Sequence, residues 1–286
     1  MVKLIATDMD GTLLNAAHEV SEENIKAIQY AQSQGITVVI ATGRAFYEAH
    51  TPVTEAGLKV PYICLNGAEV RDESLNIIHT ASINDELYHS VQEILHEEGI
   101  YYQLYTNLGI YTEDPERDIE IYMDIAKHAG QQANIEKIRQ HVQYRIDRGT
   151  LKVVSDYKQV EAVPGELIMK VLAFDYDLEK LNRVKEKLAT HTNLAVSSSS
   201  MGNIEITHVQ AQKGVALTAI AEQLDIDKEE IMAIGDNLND VSMLERVGYP
   251  VAMANGMSEV KDIAAFTTTS NEESGVAKAI YRVLDI

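Results

Sequence analysis

The sequence predicts an α/β protein, a parallel sheet with helices on its faces, carrying an α+β insert. Three observations predict it. Short apolar runs alternate with helix-period segments in the first third of the chain, the same alternation returns in the last third, and the stretch between has a different texture. At 286 residues the chain is long enough for one large core or two modest ones.

Residues 3–7 read as a buried strand, apolar, too short for a helix and stopped by Asp8. Residues 21–33 read as a helix. Ser21 supplies the N-cap, Asn24 stands at N3, Ile25 and Ile28 share a face, and Gly35 ends it. Residues 37–41 are β-branched and apolar, a second buried strand. A helix is expected over 45–56 and a third strand over 61–65, ending at Asn66-Gly67. This β-α-β-α-β order requires a parallel sheet. In the last third, 214–224 reads as helix, 230–234 as strand, 240–247 as helix, 249–253 as strand and 266–269 as one more short strand, with a closing helix over 275–284. The middle, 84–205, mixes expected helices (85–97, 119–129, 177–189) with short strands (101–105, 167–173) and a density of tyrosine at Tyr101, Tyr102, Tyr105 and Tyr111. It reads as an insert between two halves, 1–83 and 206–286, of one sheet. There is no repeat, low-complexity tract or Pro-rich linker.

Composition narrows the function classes. The chain is 45% hydrophobic and 24% charged, ordinary for a globular protein. Its formal net charge of −20, with no long Lys/Arg run, disfavours nucleic acid and anionic membranes as partners. The one cysteine, Cys64, forms no intrachain disulfide; within Tyr62-Ile63-Cys64-Leu65 it reads as a small buried hydrophobe. The start, Met1-Val2-Lys3-Leu4, fits neither a signal nor a transit peptide, and no apolar stretch approaches the ~20 residues that span a bilayer. A cytoplasmic location is the expectation.

In a parallel α/β sheet, ligands bind beyond the carboxyl ends of the strands. There the chain delivers Asp8-Met9-Asp10-Gly11-Thr12, then Thr42-Gly43-Arg44, then Asn66-Gly67, and from the far end Gly235-Asp236-Asn237-Leu238-Asn239-Asp240. Carboxylates gathered at one edge repel, and burying them without a counter-charge is costly. A hard divalent cation resolves this, and Mg²⁺ suits a site that also meets phosphate. The turn at Gly11 lets one of Asp8 and Asp10 coordinate metal while the other reaches substrate. Gly11 and Gly43 allow close backbone approach, Thr12 and Thr42 offer hydroxyls, and Lys213 adds a fixed positive charge. Together these fit phosphoryl transfer, where positioning and charge neutralisation dominate. Taken singly, each string has a plainer reading: a solvated acidic turn, an ordinary strand-to-helix turn, a capped helix entry, a surface lysine. Their order at consecutive strand ends is what argues for a site. No Gly-x-Gly-x-x-Gly follows a strand, no Walker A string occurs, and His96-Glu97-Glu98 lacks the second histidine of a zinc motif. His79, His89, His141 and His191 are scattered. The tyrosines read as packing, not as a base-stacking platform, given the acidic charge.

These strings resemble the haloacid dehalogenase (HAD) superfamily, and within it the Cof-type, class IIB phosphatases with a C2 cap. Asp8-Met9-Asp10-Gly11-Thr12-Leu13-Leu14 resembles the first motif, Ala41-Thr42-Gly43-Arg44 the second, Lys213-Gly214 the third and 235–240 the fourth; Asn66-Gly67-Ala68 and Gly275-Val276-Ala277 are also typical. The resemblance implies a Rossmann-like parallel-sheet core (1–83 and 206–286), with 84–205 as an inserted α+β cap that selects substrate. It implies a phosphoric monoester hydrolase acting on small phosphorylated metabolites, such as sugar phosphates or phosphorylated cofactors and their precursors. Asp8 would be the nucleophile and Asp10 the general acid and then base. Mg²⁺ would bind the Asp8 carboxylate, the Asp10 main-chain carbonyl and Asp236, with Asp240 supporting it from behind or through water. The Met9 backbone, Thr42, Gly43, Lys213 and Asn239 would hold phosphoryl oxygens, and Arg44 and Asn66 would touch the rest of the substrate. One departure stands beside the metal motif: Ala252-Met253-Ala254-Asn255-Gly256 replaces the usual Ala-Met-Gly-Asn-Ala. Two alternatives stay open, a sugar phosphomutase of the same superfamily and a non-catalytic phosphate-binding module. Asp10 argues against the second. In the insert, Tyr105, Tyr111 and the run 197–200 are either substrate-facing or structural. Oligomeric state has no signature in the sequence.

Overall fold

Leu4, Ile5 and Ala6 are all fully buried, so the first apolar run is covered on both faces and becomes an interior strand. The computed structural model describes residues 1–128, 134–200 and 202–285. Among these the strands run, in chain order, β1 Leu4–Thr7, β2 Thr37–Ala41, β3 Tyr62–Cys64, β4 Glu69–Arg71, β5 Ile77–Thr80, β6 Tyr101–Thr106, β7 Ile110–Thr112, β8 Leu151–Val153, β9 Ile168–Phe174, β10 Leu194–Ser197, β11 Asn203–His208, β12 Ile231–Gly235, β13 Tyr249–Ala252 and β14 Phe266–Thr267. They form an eight-stranded sheet, β14-β13-β12-β1-β2-β3-β4-β5, and a six-stranded sheet, β10-β11-β9-β6-β7-β8. The chain divides into two compact units. One comprises Met1–Ala81, Ser197–Ser200 and the described residues from Thr207 on; the other comprises Ser82–Val196 with residues 202–206.

In the first unit every pair from β14 to β3 is parallel. The chain builds outward from β1 in one direction through β2 and β3, and from β12 in the other through β13 and β14. The strand order therefore reverses between β1 and β12, and the crevice beyond their carboxyl ends is the place such a sheet offers a ligand. Register fixes what meets there: Thr7 pairs with both Ile234 and Ile40. Side chains alternate between two cores. Ile5, Val38 and Ile40 pack with Ala27, Ile28, Ala31, Ala279 and Ile280 from helices Glu22–Ser33 and Gly275–Leu284. Leu4, Ala6, Val39 and Ala41 pack with Leu217, Ile220 and Ala221 from helix Lys213–Gln223. The expected cap is present, Ser21 Oγ accepting the Asn24 N–H at 3.3 Å.

The helix carrying Lys213 lies very close to its neighbour. A Cβ built on Gly214 would come 1.8 Å from the Ser242 carbonyl oxygen. Gly214→Ala gains ~1 kcal/mol of helix propensity but forces a backbone clash of about 3 kcal/mol or more. A net loss of about 2 kcal/mol is expected in urea unfolding, and an unchanged midpoint would contradict this packing.

Two elements differ from expectation in this unit. The antiparallel hairpin β4–β5 has no counterpart in the sequence reading, because every residue of β5 is exposed and the two-residue period is absent. The expected helix 240–247 is a 3-10 turn, Leu238–Asp240, followed by the single turn Val241–Leu244. Asn237 and Asp240 cap each other's backbone there, which tightens the entry.

In the second unit Tyr102, Leu104, Val171, Ala173, Ile204 and Ile206 share a core with helices Asp85–Glu97 and Leu178–Leu188. Tyr102 and Tyr111 are buried in this core beside Tyr88 and Tyr157, as packing residues. Helix Pro115–His128 starts earlier than expected because Asp114 accepts the N–H groups of Glu116 and Arg117 and Pro115 suits the first turn. Residue 129 of the expected helix lies outside the described residues. Helix Ile135–Asp147, capped by Asn134, was not anticipated; its inward face includes the buried Arg145, which breaks the apolar pattern. Among the described residues no helix is long and apolar enough to cross a membrane.

Candidate active site

Asp8 is the first residue past β1, its N–H still donating to the Ile234 carbonyl at 2.9 Å, so it leaves the sheet at the reversal point. Lys213 Nζ donates to Asp8 Oδ1 at 2.5 Å and to Asp240 Oδ1 at 2.6 Å. All three side chains are buried. Lys213 occupies the first position of its helix, where the dipole disfavours a cation, so these carboxylates must hold it there. The other oxygen of Asp240 accepts the N–H groups of Asp236 at 2.9 Å and Asn237 at 3.0 Å. Asp236 Oδ1 in turn accepts the Thr12 hydroxyl at 2.8 Å. Gly11, at φ +77°, makes that approach possible: a Cβ there would stand 2.5 Å from Asp236 Oδ2.

Asp8, Asp236 and Asp240 each place one oxygen within 4.8 Å of the others, with Lys213 supplying one compensating charge. The surplus is negative. Burial, reinforced by Asp240 and Asp236, raises the Asp8 pKa well above the usual carboxylate range against the pull of Lys213. Burial and Asp240 push Asp236 up to about 6, against Thr12 and Lys213. Burial alone would lower the Lys213 pKa, but Asp240 and Asp8 outweigh it and raise it. A site that resists ionising its own carboxyls gains from a bound cation, and an all-oxygen donor set calls for a hard one. Both oxygens of Asp240 are already engaged, which leaves Asp8 and Asp236 as the side chains best able to ligate directly.

Asp10 lies apart from that cluster. Arg44 grips its carboxylate with two bonds, Nε to Oδ2 at 2.7 Å and Nη2 to Oδ1 at 2.5 Å. The Arg44 N–H donates to Thr42 Oγ1 at 3.1 Å, and Leu65 and Asn66 donate to the Arg44 and Thr42 carbonyls at 3.0 Å each. Asn239 Nδ2 reaches Asn66 Oδ1 at 3.3 Å. Gly67, at φ +107°, lets the chain entering the Lys213 helix pass close by; a Cβ there would sit 2.7 Å from the Gln212 carbonyl oxygen. The Met9 side chain is buried in the core, away from any role in the site. Gly43 stands between Thr42 and Arg44 just past the end of β2.

Three contacts organise the site through residues whose strings the sequence already brings to this edge, Thr12 having been expected there as a hydroxyl donor. Thr12 orients Asp236, Asn255 Nδ2 holds the Gly11 carbonyl at 2.7 Å, and Asn237 Nδ2 holds the Ser199 carbonyl at 2.9 Å. The departure in the Ala252 string is explained in part: a Cβ on Gly256 would come 3.1 Å from Asp236 Cα, so glycine relaxes that turn. The run Ser197–Ser200 belongs to the unit carrying Asp236. Cys64 is buried, and burial pushes its thiol pKa up, away from reactivity.

A family model described as haloacid dehalogenase-like hydrolase matches residues 5–280. Phosphatase YwpJ of Bacillus subtilis (strain 168) is 34% identical over 285 residues, covering 99% of this chain and 100% of that protein. The 5-amino-6-(5-phospho-D-ribitylamino)uracil phosphatase YwtE of the same organism is 35% identical, covering 99% of this chain and 98% of that protein. The solved structure of a haloacid dehalogenase-like hydrolase from B. subtilis superposes with a TM-score of 0.86 at 32% identity, covering 99% of this chain and 100% of that one.

Proposed function

The chain belongs to the haloacid dehalogenase-like hydrolases, in their Cof-type class IIB branch, and is a phosphoric monoester hydrolase of that superfamily; from that premise we propose that it dephosphorylates small metabolites with Mg²⁺ through an aspartyl phosphate on Asp8. The observation that carries this reading is the buried chain Asp8–Lys213–Asp240, set beside Asp236 at the sheet reversal with Asp10 one turn away. Asp8 attacks phosphorus while Asp10 passes its proton to the leaving oxygen. Asp10 then takes a proton from the water that attacks the aspartyl phosphate and frees Asp8. Lys213, the Thr42 hydroxyl, Asn239 and the main-chain N–H groups of Met9 and Gly43 hold the phosphoryl oxygens. Asp240 fixes Lys213 and supports the metal site from behind. When held by Asp8, Asp236 and the Asp10 carbonyl, Mg²⁺ supplies the positive charge that lets a phosphate dianion approach these carboxylates.

Residues 1–83 and 206–286 act as the catalytic core, and 84–205 as a cap that selects the leaving group. The substrate class is a phosphorylated sugar or polyol-bearing cofactor precursor, in line with the compound for which YwtE is named. Asn66 touches that part of the substrate. The acidic charge argues against nucleic acid and anionic membrane partners, and the location proposed is cytoplasmic.

The deciding assay is phosphate release from aryl and sugar phosphates with Mg²⁺ and with EDTA. Mg²⁺-dependent release is expected. Isomerised sugar phosphate without free phosphate would instead mark a mutase, and a long-lived Asp8 phosphate a binding module. Stability should follow the same electrostatics. Asp236 has a folded pKa of about 6 against an ordinary aspartate value of 3.8, so its protonated form favours folding. That contribution is complete below about pH 3.8 and is lost as pH rises through 6. Metal-free wild type should lose stability relative to Asp236→Asn between pH 4 and 7, and Mg²⁺ should restore it at pH 7 only. Parallel pH profiles for the two proteins would contradict this.

A further inference from the structure

Building on the phosphatase reading above, we propose that Arg44 is a positioning residue for Asp10, and not a clamp for the substrate phosphate. A guanidinium has five N–H donors in a fixed plane. Here two form the fork on Asp10, one points to the Glu48 carbonyl at 3.4 Å, and another faces His18 Nδ1 at 3.4 Å. Four of the five are directed at the protein itself, and a phosphate clamp would need at least two to spare.

The fork is also built to aim. Arg44 is anchored through its own backbone, its N–H on Thr42 Oγ1 and its carbonyl receiving Leu65 N–H, so the grip starts from the end of β2. The Arg44 side chain is 23% exposed and that of Asp10 is 50% exposed, so the less exposed partner steadies the more open one. Two parallel bonds stop the carboxylate from rotating about its Cβ–Cγ bond. Each carboxylate oxygen has two lone-pair positions, so the fork leaves capacity for the proton that Asp10 must carry. A lysine ammonium is a point charge and cannot impose that plane.

The consequence differs between the two halves of the reaction. In the first, the Asp8 oxygen–phosphorus bond forms, the ester phosphorus–oxygen bond breaks, and the Asp10 proton goes to the departing alkoxide. In the second, water oxygen bonds to phosphorus, the Asp8 bond breaks, and a water proton returns to Asp10. A nitrophenolate leaves without a proton, whereas an alkoxide does not. The test uses full-length Arg44→Lys and Arg44→Gln with Mg²⁺ on p-nitrophenyl phosphate and on the alkyl phosphate that wild type hydrolyses best. For the alkyl ester kcat/KM should fall about 100-fold, the scale of one acid–base contribution; for the nitrophenyl ester it should fall less than about threefold. Because dephosphorylation still needs Asp10, the nitrophenyl reaction should show a burst of about one nitrophenolate per enzyme as aspartyl phosphate accumulates. An equal fall of kcat/KM on both esters overturns the proposal. If that fall comes through KM, Arg44 is a phosphate clamp; if it comes with a lowered melting temperature in both variants, Arg44 is structural. Wild type that releases phosphate from no ester would instead bring down the phosphatase reading, and this inference with it.

Discussion

Asp8→Asn should cut phosphate release by at least ~10⁴-fold and yet make the metal-free protein more heat-stable. An amide oxygen cannot form the acyl phosphate, so the first half-reaction has no nucleophile. The stability gain follows from charge. Burial, Asp240 and Asp236 all disfavour the ionised form of Asp8. At pH 7 wild type must ionise it in the unfolded chain and resist ionising it in the folded one. The amide removes that conflict, keeps an oxygen for Lys213, and leaves Lys213 its bond to Asp240. A raised folded pKa means the advantage of the variant is present at pH 7 and vanishes as pH falls below the ordinary carboxylate value. Saturating Mg²⁺ should narrow the gap, since wild type gains more from the cation. Phosphate release and melting curves with EDTA at pH 4 and pH 7 are the measurements. Residual turnover, or a metal-free variant less stable than wild type at pH 7, would contradict the account. A residue whose removal stabilises the fold is retained for chemistry.

Part of this architecture was legible in the chain and part was not, for physical reasons. β1, β2 and β12 announce themselves because they are buried on both faces and end abruptly in polar groups. β4 and β5 do not, since β5 has no buried face to impose a period. The helix Ile135–Asp147 hid behind Arg145, a buried cation where the pattern calls for an apolar residue. At the site, the acidic strings and Lys213 could be read from their order at the strand ends and at the start of a helix. The contacts that organise them could not. Asp10 meets Arg44 because Thr7 is registered against Ile40, and Thr12 meets Asp236 because Thr7 is also registered against Ile234. Neither string contains the other's register. Asn255 on the Gly11 carbonyl is the same kind of fact. The insert carries no comparable strings, which is why substrate identity stays a matter for assay.

Lys213→Met should combine the largest loss of stability of any single change at the site with a large loss of turnover. Met is similar in length and apolar, so it fills the space without a large cavity. It removes the ammonium that lies on Asp8 and Asp240, two carboxylates that are themselves buried. Breaking a buried pair by deleting one partner costs about 3–5 kcal/mol, because the remaining charge is left uncompensated. Turnover should fall by at least ~10³-fold, the scale of one preorganised donor to a transferring phosphoryl group. The two losses can be separated. Adding Asp240→Asn removes one of the stranded charges while its amide oxygen can still accept the Asp236 and Asn237 N–H groups. The double variant should regain most of the stability and none of the turnover, a coupling that a double-mutant cycle reads directly. Acid should help the single variant too. Without the ammonium that opposes it, Asp8 favours its protonated form more strongly, so the deficit is full at pH 7 and shrinks toward pH 4. If Lys213→Met is as stable as wild type at pH 7, the buried ion chain is not what holds this strand edge together. If Asp240→Asn rescues turnover along with stability, Lys213 acts on the fold and not on the phosphoryl group.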